Sequence, residues 1–264
     1  MNDVRTEKEI EMKLKFDDGM IKTNILKKLK SIFKDIINDT LDINYSLIHD
    51  KKEVKIIDEY FDDKQNILSR SLNDSRLRYR TKYFLSDLND KYDIIKNIKE
   101  NRKRMLTVKY LSKTNINQEV SKDIKNNNLD IHRHKDFITD YIGDNILDFN
   151  SLNKHIAVYN NRSMINLGVK INAPNYTHDV LEDLITICFD ELGYFNYKTA
   201  KNYKEKVIEI EIDEQFLQGS GQDTIVPYST EIQLKHLKKI ISNEISNINE
   251  INGPKYLRAI KFTS

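Results

Sequence analysis

The segment EIEMKLKF, residues 9–16, divides by alternation into two unlike faces. Glu9, Glu11, Lys13 and Lys15 fall on one side, and Ile10, Met12, Leu14 and Phe16 on the other. A strand points successive side chains to opposite sides of its sheet, so the spacing predicts a strand with one apolar and one charged face. The same division recurs in three further segments. LRYRTK (77–82) carries Arg78, Arg80 and Lys82 on one face, LTVK (106–109) carries Thr107 and Lys109, and VIEIEID (207–213) carries Glu209, Glu211 and Asp213.

A single strand of this kind is what any half-buried antiparallel sheet shows, with charge outward and apolar residues inward. Four such strands with their signs sorted constrain the fold further, because like charges side by side repel. Paired carboxylates suit a hard divalent cation. Arginines one residue apart on a strand suit phosphoryl oxygens, which accept forked bonds. Acidic and basic strands in one sheet therefore point to a metal–polyphosphate complex. A barrel of about eight strands encloses only enough space for side chains or one small ligand. The expected fold is α+β: a closed antiparallel eight-stranded β-barrel, or tunnel, with charges inside and flanking amphipathic helices outside.

Composition narrows the partners. The 43 basic and 41 acidic residues leave a formal net charge of +2, so no whole-molecule field attracts nucleic acid. The 264 residues show no repeat and no break, so one domain over 1–264 is expected, with a C-terminal helical segment at about 229–252. The lone Cys188 excludes an internal disulfide and a cysteine-rich metal site. No apolar leader segment or long uncharged run occurs, so a soluble, cytoplasmic protein without a membrane partner is expected. Nothing in the sequence speaks to its oligomeric state.

Periodicity predicts a helix over 24–38 and strands over 54–63, 75–84, 104–113 and 204–214, with a pair of strands inside 153–172. NYTHDVLEDLITICFDELG (175–193) is predicted as a helix, capped by Thr177 or Asp179, ending at Gly193 and burying Cys188 on its apolar face. Residues 86–103 read as a polar loop with a helical piece, and 114–150 are the least patterned, with FITDYIGDNI a short helix. His132 and His134 have strand spacing but no neighbouring ligand motif, so a solvated segment is preferred to a zinc pair. QGSGQ (218–222) lacks the Gly-Lys-Ser/Thr ending of a phosphate loop and reads as a linker.

Taken in order, these segments resemble the CYTH, or triphosphate tunnel metalloenzyme, superfamily. EIEMK (9–13) is similar to its opening Glu-x-Glu-x-Lys signature, and DEYFDD (58–63) to its second strand. LRYR (77–80) and LTVK resemble its Leu-x-Arg-x-Arg and following lysine-bearing strands, and VIEIEID its closing acidic strand. NKHIAVY (153–159) is similar to its Lys-x-Arg-x-x-Tyr strand, with Ile156 where the arginine stands. The matches run from residue 9 to about residue 213.

The resemblance implies an eight-stranded tunnel that binds a triphosphate or polyphosphate with Mg²⁺ or Mn²⁺ and hydrolyses a terminal phosphoanhydride. It implies Glu9, Glu11 and Glu211 as catalytic residues. Glu9, Glu11, Glu209, Glu211 and Asp213 would be metal ligands, and Lys13, Arg78, Arg80, Lys109 and Lys154 phosphate ligands. Lys15 and Lys82 share that parity nearer strand ends, and Arg162, Lys204 and Lys206 are further candidates. An RNA 5′-triphosphatase of the capping type and a non-catalytic nucleotide or polyphosphate sensor are the alternatives.

Overall fold

Alternation builds one antiparallel sheet. A computed structural model describes residues 4–8, 10–16, 22–34, 36–38, 43–70, 75–84, 102–111, 117–125, 129–144, 146–171, 182–212 and 230–264. The strands are β1 (Val4–Lys8), β2 (Ile10–Lys15), β3 (Ile36–Asn38), β4 (Ile43–Asp62), β5 (Arg76–Phe84), β6 (Arg102–Leu111), β7 (Asn117–Asp123), β8 (Asn153–Ile171), β9 (Glu182–Asn196), β10 (Asn202–Ile212) and β11 (Asn249–Glu250). The helices are α1 (Lys22–Lys34), α2 (Ile67–Arg70), α3 (Lys135–Ile142), α4 (Thr230–Glu244) and α5 (Lys255–Thr263). No described helix is long and apolar enough to cross a membrane.

The strand order is β1-β7-β6-β5-β4-β8-β9-β10-β2-β11, with β3 beside β4. This is an open path of ten strands with β3 off it, and the expected closed eight-stranded barrel is not formed. The reason lies in the opening segment, which divides its pairing instead of serving one neighbour throughout. Val4–Lys8 pairs with β7 at one end of the order, and Ile10–Lys15 pairs with β10 towards the other. Glu9 alone separates the two, so the chain brings the ends together while no ladder among the described residues joins them.

The segment expected as a helix over 175–193 is a strand from Glu182 onward. Its Ile185, Cys188, Phe189 and Leu192 recur at helix spacing. Ile185, Ile187 and Phe189 equally keep period two, and β-branched Ile185, Thr186 and Ile187 favour the pleated form. Residues 153–171 make one 19-residue strand rather than two, because Asn160 and Asn161 pair with Ile56 and Lys55 instead of turning. The C-terminal helix stops at Glu244 rather than near 252, and Asn247 takes φ 61°, a conformation asparagine tolerates at helix ends. The chain then pairs Asn249 and Glu250 with Lys15 and Leu14 before α5 begins after Pro254. Most of the loop at 86–103, the caps Thr177 and Asp179, and the linker at 218–222 lie outside the described residues.

Two apolar layers cover the outer side of the sheet. Even-numbered Leu14, Ile208 and Ile210 and odd-numbered Ile165, Ile187 and Phe189 pack against α1 (Ile25, Leu29, Phe33) and α4 (Leu237, Ile241). Leu77, Leu106, Val108 and Val120 pack under α3 through Phe137 and Ile138. A third cluster lies on the inner side: Tyr60, Ile156, Val158, Leu192, Tyr194 and Val207 meet Tyr256 and Ala259 of α5. One stretch of the inner face is thus apolar and covered by the last helix. The charged positions occupy the rest.

Candidate active site

Strand β5 supplies cations because every second residue from Arg76 to Lys82 is basic and shares the inner face. Arg76 and Arg78 are each only 3% exposed. Acids come from the strands beside them. Asp58 lies opposite Arg80 in the β4–β5 register and accepts two bonds from it, from Nε at 2.6 Å and Nη2 at 2.7 Å. Arg78 Nη2 donates to Glu119 Oε1 at 2.5 Å, and Lys109 Nζ lies 2.8 Å from Glu119 Oε2. Burial would raise the pKa of Asp58, but Arg80 and Arg78 outweigh it and hold the carboxyl at about 2. Lys82 closes the row. Burial, together with Arg80, Arg78 and Arg162, lowers its pKa to about 8.

The acidic side is set by the β10–β2 register, which places Glu211 opposite Glu11 and Glu209 opposite Lys13. One carboxylate oxygen from each of Glu11, Glu209 and Glu211 lies within 4.8 Å of the others. Glu209 is buried, and its Oε1 has no hydrogen-bond partner among the described residues. Three convergent carboxylates, one with a free buried oxygen, are the donor set a hard divalent cation takes. The residues present therefore fit a hard divalent cation.

Arg162 ties the acids together. It reaches Asp190 through Nε at 2.7 Å and Nη2 at 2.8 Å, and Glu211 through Nη1 at 2.9 Å. Its Nη2 also donates to Glu209. Lys255, the first residue of α5, places Nζ 2.9 Å from Asp190 Oδ2 and 3.0 Å from Glu209 Oε2. Burial opposes the charge on Glu209, yet Lys255, Arg162 and Lys13 carry its pKa well below the usual carboxylate range. Basic and acidic sides line one inner cavity of about 60 Å³, which includes Glu11, Lys13, Arg76, Arg78, Arg80, Lys109, Arg162, Glu209, Glu211 and Lys255. A cavity of about 350 Å³ adjoins it, sharing Glu11, Lys13, Arg76, Lys109 and Pro254 and adding Met12 and residues 250–253.

The structure thus brings together Glu11, Lys13, Arg78, Arg80, Lys109, Glu209, Glu211 and the candidate Arg162. Glu9 and Asp213 lie outside the described residues. Lys154 is not at the site. The β4–β8 register shifts between Tyr60↔Ile156 and Phe61↔Lys154, and this bulge turns Lys154 to the outer face. There it pairs with Glu59 at 2.5 Å, 47% exposed. Lys204 is exposed, and Lys206 lies on the face opposite Glu205 and Glu209. Lys15 donates to Tyr203 Oη at 2.9 Å. Ile156 is on the inner side but inside the apolar cluster, fully buried. Cys188 is also inside, opposite Glu209 in register, and burial pushes its thiol well up. His132 and His134 belong to a short 3₁₀ turn, with His132 exposed.

Five participants escaped the sequence reading. Arg76 has the same parity as Arg78 and was legible from that alone. Asp58 alternates with Tyr60 and Asp62 in a segment already read as strand. Glu119 lies in the unpatterned 114–150 region, and Asp190 was hidden by the helix assignment. Lys255 carries no local signal.

No family model and no curated protein matches the sequence. Solved structures do. A candidate adenylate cyclase of Bacillus halodurans shares 13% identity over 96% of this chain and 97% of its own, with a TM-score of 0.46. The PH1819 protein of Pyrococcus horikoshii shares 15% over 97% and 99%, with a TM-score of 0.48. A candidate adenylyl cyclase of Hippeastrum, described as having a dominant triphosphatase activity, shares 12% over 97% of each chain, with a TM-score of 0.44. These neighbours are CYTH-type proteins. At these identities and scores the likeness carries no argument about the chemistry of this chain.

Proposed function

We propose that this protein is a divalent-metal-dependent triphosphatase that hydrolyses a terminal phosphoanhydride held at the charged inner face of the sheet. The observation that carries the reading is the meeting of Arg76, Arg78, Arg80, Lys13 and Lys109 with the carboxylates of Glu11, Glu209 and Glu211 at one inner cavity. The arginines would receive phosphate oxygens in forked bonds and hold the chain of phosphates in line. They are already oriented by Asp58 and Glu119, so little rearrangement accompanies substrate entry. Charge that develops on the departing phosphate falls among fixed cations. Glu11, Glu209 and Glu211 would hold Mg²⁺ or Mn²⁺, which supplies counter-charge to phosphate oxygens and acidifies a bound water. Glu9 and Asp213 remain proposed members of that carboxylate set, and Lys154 is not a phosphate ligand.

The adjoining cavity of about 350 Å³, with Met12, Ile251, Asn252 and Pro254 on its wall, has room for an organic group attached to the phosphates. This favours an organic triphosphate as the second reading, beside inorganic tripolyphosphate. A panel of triphosphates assayed for phosphate release with Mg²⁺ and with Mn²⁺ tests both. Glu11→Gln and Glu211→Gln are each expected to abolish release. Full turnover in both variants would overturn the assignment.

A further inference from the structure

The outer face of the sheet is not covered throughout. Between the apolar layer under α1 and α4 and the one under α3 lies a band formed by two cross-strand rows, whose residues belong to neither cluster. Register places Arg104, Thr81, Ile57, Tyr159, Gly193 and Lys204 in one row, running from β6 across β5, β4, β8 and β9 to β10. The next row on the same face is Arg102, Tyr83, Lys55, Asn161, Glu191 and Lys206. Six strands spaced about 4.8 Å apart make the band about 24 Å wide. Five of these twelve side chains are cationic and one is acidic, although the whole chain carries only +2. Lys206 stands opposite Glu191, so Lys55, Arg102, Arg104 and Lys204 make the local excess. A polyanion is the partner that this segregation of charge suits.

The middle of the band is uncharged and carries an exposed ring. Tyr159 is 50% exposed, and Tyr197, 42% exposed, joins that side by donating to Glu59 at 3.4 Å. Tyr159 stands opposite Gly193. A glycine inside a strand weakens it, and its usual reasons are a left-handed backbone, a crowded Cβ or the close approach of a ligand. Gly193 is not among the residues of positive φ. Among the described residues only Tyr159 Cβ lies within 4 Å of the point that a Cβ on Gly193 would occupy, at 3.9 Å, an ordinary contact. The Tyr159 ring therefore does not fold over the glycine to fill its place. Backbone and packing give no reason for the glycine, which leaves a slot beside an exposed ring. Such a slot, with cations at both margins of the band, suits a base flanked by phosphates. We infer that this outer band is a stacking platform for a single-stranded polynucleotide, with a base against Tyr159 above Gly193 and phosphates on Lys55, Arg102, Arg104 and Lys204. The inference does not rest on the triphosphatase reading, since it uses the opposite face of the sheet.

The test uses the full chain and fluorescence anisotropy. The probes are 5′-hydroxyl oligouridine and oligothymidine of about ten nucleotides and a DNA duplex of the same length. Tripolyphosphate and Mg²⁺ are present in excess to occupy the inner face. Binding of either single strand supports the inference, and the tighter of the two names its source. Four phosphate contacts predict a salt slope of about −2.8, so binding should be about fiftyfold weaker at 200 mM salt than at 50 mM. Tyr159→Ala should weaken single-strand binding about tenfold, through the loss of one stacked base. Gly193→Val should weaken it to a similar degree by filling the slot, while its melting temperature holds or rises, because valine suits a strand better than glycine. Equal affinity for the duplex would mark a plain polyelectrolyte surface and overturns the inference. Binding seen only when tripolyphosphate is left out places the strand at the inner face and overturns it too. Wild-type affinity in Gly193→Val does the same, even where Tyr159→Ala fails to fold.

Discussion

Asp58→Asn separates the electrostatic part of the site from its shape. Asp58 is 3% exposed, and its carboxylate holds Arg80 through two bonds of 2.6 and 2.7 Å. Its pKa falls from 3.8 to about 2 in the folded protein, against the opposing effect of burial. At about 1.36 kcal/mol per unit, that depression stabilises the fold by about 2 kcal/mol at neutral pH. A depressed folded pKa gives stability that is fully present above the unfolded value and is lost as pH falls through the folded one. The contribution should therefore be whole at pH 7 and at pH 5, about half as large at pH 3, and close to exhausted near pH 2. Asparagine has no such charge, so the difference between the proteins must shrink along that curve. Any pH-independent remainder measures the altered geometry around Arg80. Urea unfolding of both proteins at pH 7, 5 and 3 provides the assay. A difference that stays constant from pH 7 to pH 3 would refute the claim that the Asp58–Arg80 pair is ionic in the folded state.

Two further substitutions probe the corrected positions. Lys154→Ala should leave tripolyphosphate affinity and turnover within about twofold of wild type, because the side chain is an outer-face partner of Glu59 and exposed pairs are worth at most about 1 kcal/mol; a tenfold loss would return Lys154 to the site. Ile156→Arg should lower stability by at least about 3 kcal/mol in thermal or urea unfolding rather than add a phosphate ligand, since the new charge would be desolvated among Val158, Leu192, Tyr194 and Val207.

The alternation of charge was legible because a sheet obeys a strict period of two, and β2, β5, β6 and β10 all lie where the sequence placed strands. Parity then assigned most inner residues correctly. It failed where the period was broken or ambiguous. A bulge beside His155 reversed the parity of Lys154, and nothing in NKHIAVY announces a bulge. In β9 both periods were present, the helical one in Ile185, Phe189 and Leu192 and period two in Ile185, Ile187 and Phe189, so propensity at Thr186 and Ile187 had to decide. With that strand read as a helix, Asp190 could not be seen as an inner carboxylate. The path of the sheet was illegible for another reason. Which two strands flank the opening segment depends on its change of partner at Glu9, a property of the whole sheet and not of the eight residues themselves.

Charge sorting by strand also left open how such an interior remains folded when empty. Like charges along one strand repel, and burial adds a desolvation penalty to each. The structure answers by crossing the strands. Each row of one sign is met, across a register or a turn of the sheet, by partners of the other sign: Asp58 and Glu119 for the β5 arginines, Arg162 and Lys255 for Asp190 and Glu209. The partners that quiet each row lie off the motifs that announce it, which is why the motifs alone suggested unpaired ligands waiting for a substrate. The row is instead a balanced network with two weak points: the free oxygen of Glu209 and the lowered pKa of Lys82. A ligand that is at once strongly anionic and metal-bearing acts on both, since it offers phosphate oxygens to the lysine and a cation to the carboxylate. An anion alone would leave the free oxygen of Glu209 without a counter-charge. This asymmetry favours a metal–triphosphate complex over free phosphate as the species the interior is built to accept.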